Sequence, residues 1–282
     1  MSITHLWTRL TSKKHEDTWV ERLHFVGPEN LVITAFPASR TLRLQVYTNQ
    51  VISKRLVKLF RGSVRPFRIA TWKPPEIKRQ KPLCIAGGLR LHNDPQLFLE
   101  DRKKKQGYPL LIPAEMAFGT GEHATTRSCL RMLTGIAREL PQKKWSCLDL
   151  GTGSGILALA AELLGAHKIL GIDFDERCVK VARANAKTNQ LLKTQWQHAD
   201  LLKWKIPGKW NLIAANIYSS VLSAAAPKIV KAMTSQGHAH FILSGILACE
   251  VEEIEGLFVN LGLQKKGLIV QGKWGALHFK TS

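Results

Sequence analysis

Trp145-Ser-Cys-Leu-Asp149-Leu-Gly151-Thr-Gly153-Ser-Gly155-Ile156-Leu-Ala-Leu-Ala-Ala-Glu-Leu-Leu164 is the stretch whose reading decides the fold. Trp145 to Leu150 is a short apolar run that reads as a strand, and Ile156 to Leu164 reads as an apolar helix. Three alternating glycines join them. Glycine lets a backbone turn tightly, and the first amides of a helix point free N–H groups at whatever approaches. A strand–glycine loop–helix unit is the setting that a nucleotide-binding loop requires. A dinucleotide loop of the GxGxxG kind would place its third glycine where Ile156 stands, and here the glycines follow GxGxG. The loop has no Lys or Arg to hold a pyrophosphate, and GxxxxGK[ST] is absent from the chain.

The pattern continues toward the C-terminus. Lys168–Ile172, Thr194–His198, Trp210–Ala215 and His240–Leu243 read as strands, and Glu176–Asn189, Val221–Met233 and Cys249–Leu261 as helices. Gly267–Val270 and Leu277–Lys280, joined through Gly272 and Gly275, read as a closing antiparallel pair. Alternation of this kind predicts a mostly parallel sheet covered on both faces, the Rossmann-like α/β class. Such sheets bind ligands at the carboxyl ends of their strands. Asp173, 22 residues after Gly151, is placed there to accept from ribose hydroxyls, and Asp200 to accept from an adenine amino group. Asn216 ends the fourth strand. S-adenosylmethionine fits this set. Its ribose and adenine need acceptors, its carboxylate suits helix-start amides such as those near Gly151 and Gly153, and its ammonium suits Asp149.

Upstream lies Ala117-Phe-Gly-Thr-Gly-Glu-His123-Ala-Thr125-Thr126, before a helix whose Cys129, Leu130, Leu133 and Ile136 share a face. Thr125 or Thr126 is the expected N-cap. The glycines make a further cradle for a carboxylate, and His123 reads as a general base or as a hydrogen bonder that fixes the loop. Residues 1–72 follow the order βαββαβ: strands at Ile3–Leu10, Leu31–Phe36, Thr41–Tyr47 and Val64–Trp72, helices at Lys13–Phe25 and Gln50–Phe60. Pro74-Pro75 and the basic run Lys78–Lys81 mark residues 73–110 as a basic linker, with Asp101–Gln106 a solvated loop inside it. Residues 111–282 form the second domain.

The chain has 282 residues, 45% hydrophobic, enough for a packed core. It carries 41 Lys and Arg against 21 Asp and Glu, a formal charge of +20. The excess is concentrated in residues 1–110, with 21 basic and 8 acidic residues, net +13. That asymmetry points to polyanionic surroundings, nucleic acid first. Five widely spaced cysteines form no CxxC pair, so neither a metal site nor a disulfide framework is expected, and the expected compartment is the reducing cytoplasm. No stretch reaches the ~18 uninterrupted apolar residues of a membrane span. Met1–Lys14 lacks the apolar centre of a secretory signal.

AFGTGEHATT, LDLGTGSGILALAA, GIDFDERCV, ANIYSSVL and LSGILACE, in that order across residues 112–255, resemble the lysine methyltransferases of large-subunit ribosomal protein eleven, the PrmA family. The family pattern is close to AFGTGTHPTT, DxGCGSGILAIAA, GIDIDPxAV, ANILAGPL and LSGIL. Ala124 and Glu122 depart from it. The resemblance implies a class I methyltransferase domain behind a smaller ferredoxin-like α+β domain that recognises substrate. It implies S-adenosylmethionine contacts at Thr126, Gly151, Asp173 and Asn216, and a ribosomal protein as substrate, met near ribosomal RNA. Asn216 is the candidate catalytic residue, orienting the target amine. Residues 1–110 match only in layout, so lysines of another protein, as in a mitochondrial relative that acts on an electron-transfer flavoprotein, remain an alternative. Two others are ribosomal RNA methylation and a non-enzymatic RNA-binding role at the ribosome. The stretch Asn216-Ile217-Tyr218-Ser219 lacks the NPPY tetrad used on planar nitrogens, and a pure binder needs neither the glycine loop nor Asp173.

Overall fold

A computed structural model describes residues 3–15, 18–19, 22–26, 30–36, 39–68, 81–105, 107–113, 123–140, 144–234 and 239–281. The chain divides into two compact units, Met1–Lys78 and Arg79–Ser282.

In the first unit, β1 (Ile3–Ser12), β2 (Leu31–Ala35), β3 (Thr41–Thr48) and β4 (Ser63–Arg68) form an antiparallel sheet in the order β2-β3-β1-β4. Helix α1 (Gln50–Phe60) connects β3 to β4, and Asn49 caps it by accepting from the Ile52 N–H at 2.9 Å. This is the ferredoxin-like arrangement. Leu42, Leu44 and Val46 alternate with polar residues along β3 and are buried, as their period of two dictates. Leu44 and Val46 close a core with Trp7, Trp19, Leu23 and Leu56. Both indole nitrogens are satisfied, Trp7 by the Arg61 carbonyl at 2.7 Å and Trp19 by Thr11 Oγ1 at 2.8 Å. The expected first helix and last strand are described only in part, and Pro74, Pro75 and Lys78 lie outside the described residues.

In the second unit, residues expected as linker are folded. Strands β5 (Leu83–Cys84), β6 (Leu89–His92) and β7 (Tyr108–Leu111) make a small sheet, with helix α2 (Pro95–Lys104) crossing between the parallel pair β6 and β7. Asp101, expected in a solvated loop, sits on α2, is buried and accepts from Arg90 Nε at 2.6 Å. Asn189 holds this sheet as a strand would. Its Oδ1 accepts from the Leu111 N–H at 2.8 Å and its Nδ2 donates to the Leu111 carbonyl at 2.7 Å.

The main sheet has seven strands: β8 (Ser146–Leu150), β9 (Lys168–Asp173), β10 (Gln195–His198), β11 (Leu212–Asn216), β12 (His240–Leu247), β13 (Leu263–Gln271) and β14 (Trp274–Thr281). Their order is β10-β9-β8-β11-β12-β14-β13, parallel except for the final pair. Strand β8 is interior, and the strand order reverses between it and β11. Alternate residues of the inner strands feed two cores. Cys147, Leu212 and Ala214 join α3 (Ala124–Glu139) and α4 (Ile156–Leu163), while Leu148, Ile213 and Ala215 join α6 (Ser219–Ala232) and α7 (Val251–Asn260). Helix α5 (Glu176–Asn189) connects β9 to β10. Glu162 is buried on α4 and accepts from the N–H groups of Lys193 and Thr194 and from Thr194 Oγ1, which fixes the entry to β10.

Trp196 on the edge strand β10 covers the glycine loop from outside. A Cβ on Gly155, whose φ is 84°, would lie 2.8 Å from the Trp196 ring. Gly155→Ala is therefore expected to cost about 1–3 kcal/mol of stability from positive φ and collision together. Denaturant unfolding of Gly155→Ala, Trp196→Ala and the double variant checks this. The collision part should disappear in the double variant, leaving non-additivity as its signature.

Candidate functional site

The carboxyl edge of the sheet is organised by backbone donors. The Gly151 and Thr152 N–H groups both donate to the Ile172 carbonyl, at 2.9 and 2.8 Å, so the loop leaving β8 is latched onto the end of β9. One residue on, the Gly153 N–H donates to Asp173 Oδ2 at 2.9 Å, and Asp173 Oδ1 accepts from the Asp175 N–H at 3.0 Å. The carboxylate expected at the ribose is thus also the buckle of the loop, with acceptor capacity left over.

Asp149 is fully buried at the loop's root. Its Oδ2 accepts from Thr152 Oγ1 at 2.6 Å and from the Ala158 N–H at 3.2 Å, while its Oδ1 is buried with no partner among the described residues. Burial pushes this carboxyl up to about 7; the Thr152 and Ala158 hydrogen bonds oppose the rise, and the Asp173 charge adds to it.

On the other side of β8, Asn216 ends β11. Its Nδ2 donates to Thr126 Oγ1 across 3.4 Å, near the limit for such a bond, and its Oδ1 is a second buried acceptor with no partner among the described residues. Thr126 is completely buried on the first turn of α3. The cap of that helix is neither Thr125 nor Thr126 but His123, whose Nδ1 accepts from the Thr125 N–H at 3.4 Å and lies 2.7 Å from Thr125 Oγ1. His123 is a loop-fixing group in this geometry. Burial, aided by the Arg127 charge, lowers its pKa. Ala117–Glu122, the glycines of the upstream motif included, lie outside the described residues.

The structure therefore brings together Asp149, Gly151, Gly153 and Asp173 through the loop, and Thr126 with Asn216 between the start of α3 and the end of β11. Asp200 stands apart. It lies two residues past β10, half-exposed, and its Oδ1 accepts from the Leu202 N–H at 2.9 Å, the work of a turn cap. The residues around it show what the motif pattern could not. Gly151 is required by Ile217, since a Cβ there would lie 2.3 Å from Ile217 Cγ2. Gly245, at a bulge in β12, is required by the Ile217 backbone, 2.5 Å from its hypothetical Cβ. Trp274, at the start of β14, meets the His123 ring edge-on at 5.2 Å. Phe174, directly after Asp173, is 77% exposed, an apolar face able to stack on a planar base. Only the glycines carried a sequence signal for these contacts.

A family model described as "Ribosomal protein L11 methyltransferase (PrmA)" matches residues 8–282. The chain belongs to the PrmA family. Relatives named ribosomal protein L11 methyltransferase include one from Pelobacter propionicus, 38% identical over 61% of this chain and 55% of its own length, and one from Pelotomaculum thermopropionicum, 37% identical over 76% of this chain and 67% of its own. The match thus spans little more than half of the first of these relatives. A crystal structure of ribosomal protein L11 methylase from Lactobacillus delbrueckii subsp. bulgaricus is 27% identical, with a TM-score of 0.60, covering 71% of this chain and 98% of that one. The class I methyltransferase fold expected from the sequence is the one found.

Membership gives the two orphaned acceptors a test. A buried acceptor with no donor costs about 1–3 kcal/mol, so a donor bound at Asp149 Oδ1, and one at Asn216 Oδ1, recovers that cost. The residues fit S-adenosylmethionine, a cation with an ammonium for a buried carboxylate and hydroxyls for Asp173. An unfolded Asp titrates near 3.9, so between about pH 4 and 7 the folded protein holds a proton at Asp149 that the unfolded chain releases. That contribution to stability is complete below about pH 4 and is lost as pH rises to about 7. A cation beside Oδ1 favours the ionised form. The rise in melting temperature on adding S-adenosylmethionine should therefore be larger at pH 8 than at pH 5.5 in the wild type and show no such trend in Asp149→Asn, measured by calorimetry across that range.

Proposed function

We propose that this chain transfers methyl groups from S-adenosylmethionine to lysine amino groups of ribosomal protein L11. One observation carries the reading: the family match begins at residue 8 and so includes both units, the ferredoxin-like sheet as well as the methyltransferase fold. A small-molecule methyltransferase needs only the second. In this reading residues 1–72 recognise the substrate, and the reaction takes place in the cytoplasm.

Asp149 holds the cofactor's ammonium, the bare backbone of the Gly151 and Gly153 turn lies against it, Asp173 takes the ribose, Asp200 the adenine amino group, and Thr126 with Asn216 closes the methionine end. Bound there, S-adenosylmethionine supplies an electrophilic methyl group on a sulfonium. The chain's task is to present a lone pair. A lysine ammonium, pKa ~10.4, has none to offer until it loses its proton. Desolvation at the carboxyl edge and the nearby positive charge lower that pKa, and water removes the proton. Asn216 Oδ1, buried and without a donor among the described residues, then accepts an N–H of the neutral amine and aims its lone pair.

Asn216→Ala is expected to lower methyl transfer roughly 100-fold while weakening S-adenosylmethionine binding far less, by about three- to tenfold for the lost cofactor contact, since positioning acts on the reacting pair. Single-turnover rates and calorimetric titration measure the two. Equal losses would assign Asn216 to the cofactor alone. Radiolabel from the cofactor, chased into fractionated ribosomal components, tests the substrate: label in L11 supports the proposal, and label in RNA overturns it.

The N-terminal charge favours one addition. Residues 30–75 contain nine Lys and Arg and no Asp or Glu, and among the described residues no ion pair lies within Met1–Lys78. A cationic surface of this kind repels a basic ribosomal protein and suits a phosphate backbone, so we place the encounter beside ribosomal RNA. Association with ribosomal particles should weaken steeply between 50 and 200 mM salt, by about 10³-fold for six phosphate contacts. Salt-insensitive capture in a filter-binding titration would remove this part.

A further inference from the structure

Tyr218 is the least explained side chain at the carboxyl edge. It stands two residues beyond Asn216 and begins α6, with φ −61° and ψ 145°, yet its side chain makes no capping bond. Its neighbours on both sides are fixed. Ile217 is wedged between Gly151 and Gly245, at distances that leave no room for a Cβ on either glycine. Ser219 Oγ donates to Glu250 Oε1 at 2.8 Å, and Glu250 Oε2 accepts from the Leu247 N–H at 2.7 Å, which ties the start of α6 to the end of β12. Between these two clamps the Tyr218 ring is 77% exposed, with no hydrogen-bond or ring partner among the described residues. A large aromatic face held on a rigid backbone loses little entropy when it binds something.

The sheet divides the edge by chemistry. Asp173 ends β9 and Asp200 lies just past β10, the acceptors suited to a nucleoside, while Asn216 ends β11 on the other side of β8 and Tyr218 lies just past it. The amine that Asn216 orients therefore arrives on Tyr218's side. An aromatic face attracts an ammonium through its quadrupole, most strongly when methyl groups displace water from the nitrogen.

We propose that Tyr218 is the aromatic wall of the target-amine subsite and that it retains partly methylated lysine for further rounds. The inference rests on the lysine-methyltransferase reading above. In each round the neutral nitrogen's lone pair forms the N–C bond, the S–C pair leaves with the sulfur to give a thioether, and the resulting ammonium passes one proton to solvent before the next. Between rounds the charged methylammonium is held against the ring.

The first measurement needs no cofactor. N-acetyl-trimethyllysine amide and its neutral tert-butyl isostere are titrated into wild-type protein, Tyr218→Phe and Tyr218→Leu, followed by NMR line broadening of the ligand. The cation should bind about ten-fold more tightly than the isostere in the wild type and Tyr218→Phe, and equally in Tyr218→Leu. No preference in the wild type, or a preference that survives Tyr218→Leu, overturns the subsite. The second measurement is the intact mass of L11 after limited reaction. Tyr218→Leu should leave mainly monomethylated product where the wild type gives higher states, at unchanged S-adenosylhomocysteine affinity and unchanged melting temperature; an unchanged distribution overturns the retention role. A wild type that prefers the cation and leaves L11 unmethylated supports the subsite and overturns only the choice of substrate.

Discussion

Two amides, those of Gly151 and Thr152, converge on one carbonyl, that of Ile172, and the carboxyl edge of the sheet takes its shape from that convergence. The bifurcated contact binds the loop after β8 to the strand beside it and leaves the next amide, of Gly153, aimed at Asp173. With Gly151 held there, its missing side chain becomes the space into which Ile217 fits, and Ile217 in turn needs Gly245 to be bare. Two glycines, one in the loop after β8 and one on β12, thus serve one hydrophobic wedge. The wedge sets where β11 ends, and so where Asn216 meets Thr126. A substitution at either of these glycines displaces donors and acceptors several residues away, because the site is built from backbone that has nowhere else to go.

What the sequence reading could reach followed from periodicity. Helix α1 falls at Gln50–Phe60 as predicted, because its apolar spacing and its Asn49 cap agree. The closing β13–β14 pair is correct in kind, though the strands extend beyond the predicted ends to Leu263 and Thr281, since alternation fades where edge residues face solvent. The small sheet of β5, β6 and β7 escaped notice because strands of two and four residues carry no period. Its hold on α5 comes from Asn189, whose amide matches the Leu111 backbone only once the chain has folded. Asp101 lies in a run of Lys and Arg and reads as solvated. Its burial against Arg90 is a tertiary fact.

At the site, residue identities were legible and their duties less so. The glycines of the loop suggested close approach by a ligand, but Gly151 and Gly155 are already required by Ile217 and Trp196. Asp149 suggested a partner for an ammonium, and the structure adds that half of its carboxylate is spent on Thr152 and Ala158. That split gives the residue two states. One oxygen anchors the loop whatever is bound, and the other, buried and without a donor among the described residues, is costly to ionise until a cation arrives. His123 shows the reverse case. A histidine beside a glycine motif invites a catalytic role, yet its ring caps α3 and lies against Trp274.

The charge, read along with the fold, separates two problems that a single net value merges. The second unit pairs its charges locally, as Arg177 with Asp175 and Lys265 with Glu255, and its site depends on buried acceptors that bulk electrostatics scarcely reach. The first unit carries no Asp or Glu from residue 30 to 75, and no ion pair lies in it among the described residues. Self-repulsion on that scale destabilises a small sheet and is relieved by a polyanion. On the proposed reading, a basic substrate cannot supply that relief, and RNA beside it can. Recognition would then be electrostatic toward the particle and geometric toward the lysine, with the first unit responsible for the encounter and the carboxyl edge of the second for the chemistry. Such a division lets the surface around Asn216 and Tyr218 be selected for the target amine alone, since holding the enzyme at its substrate is a task assigned to other residues.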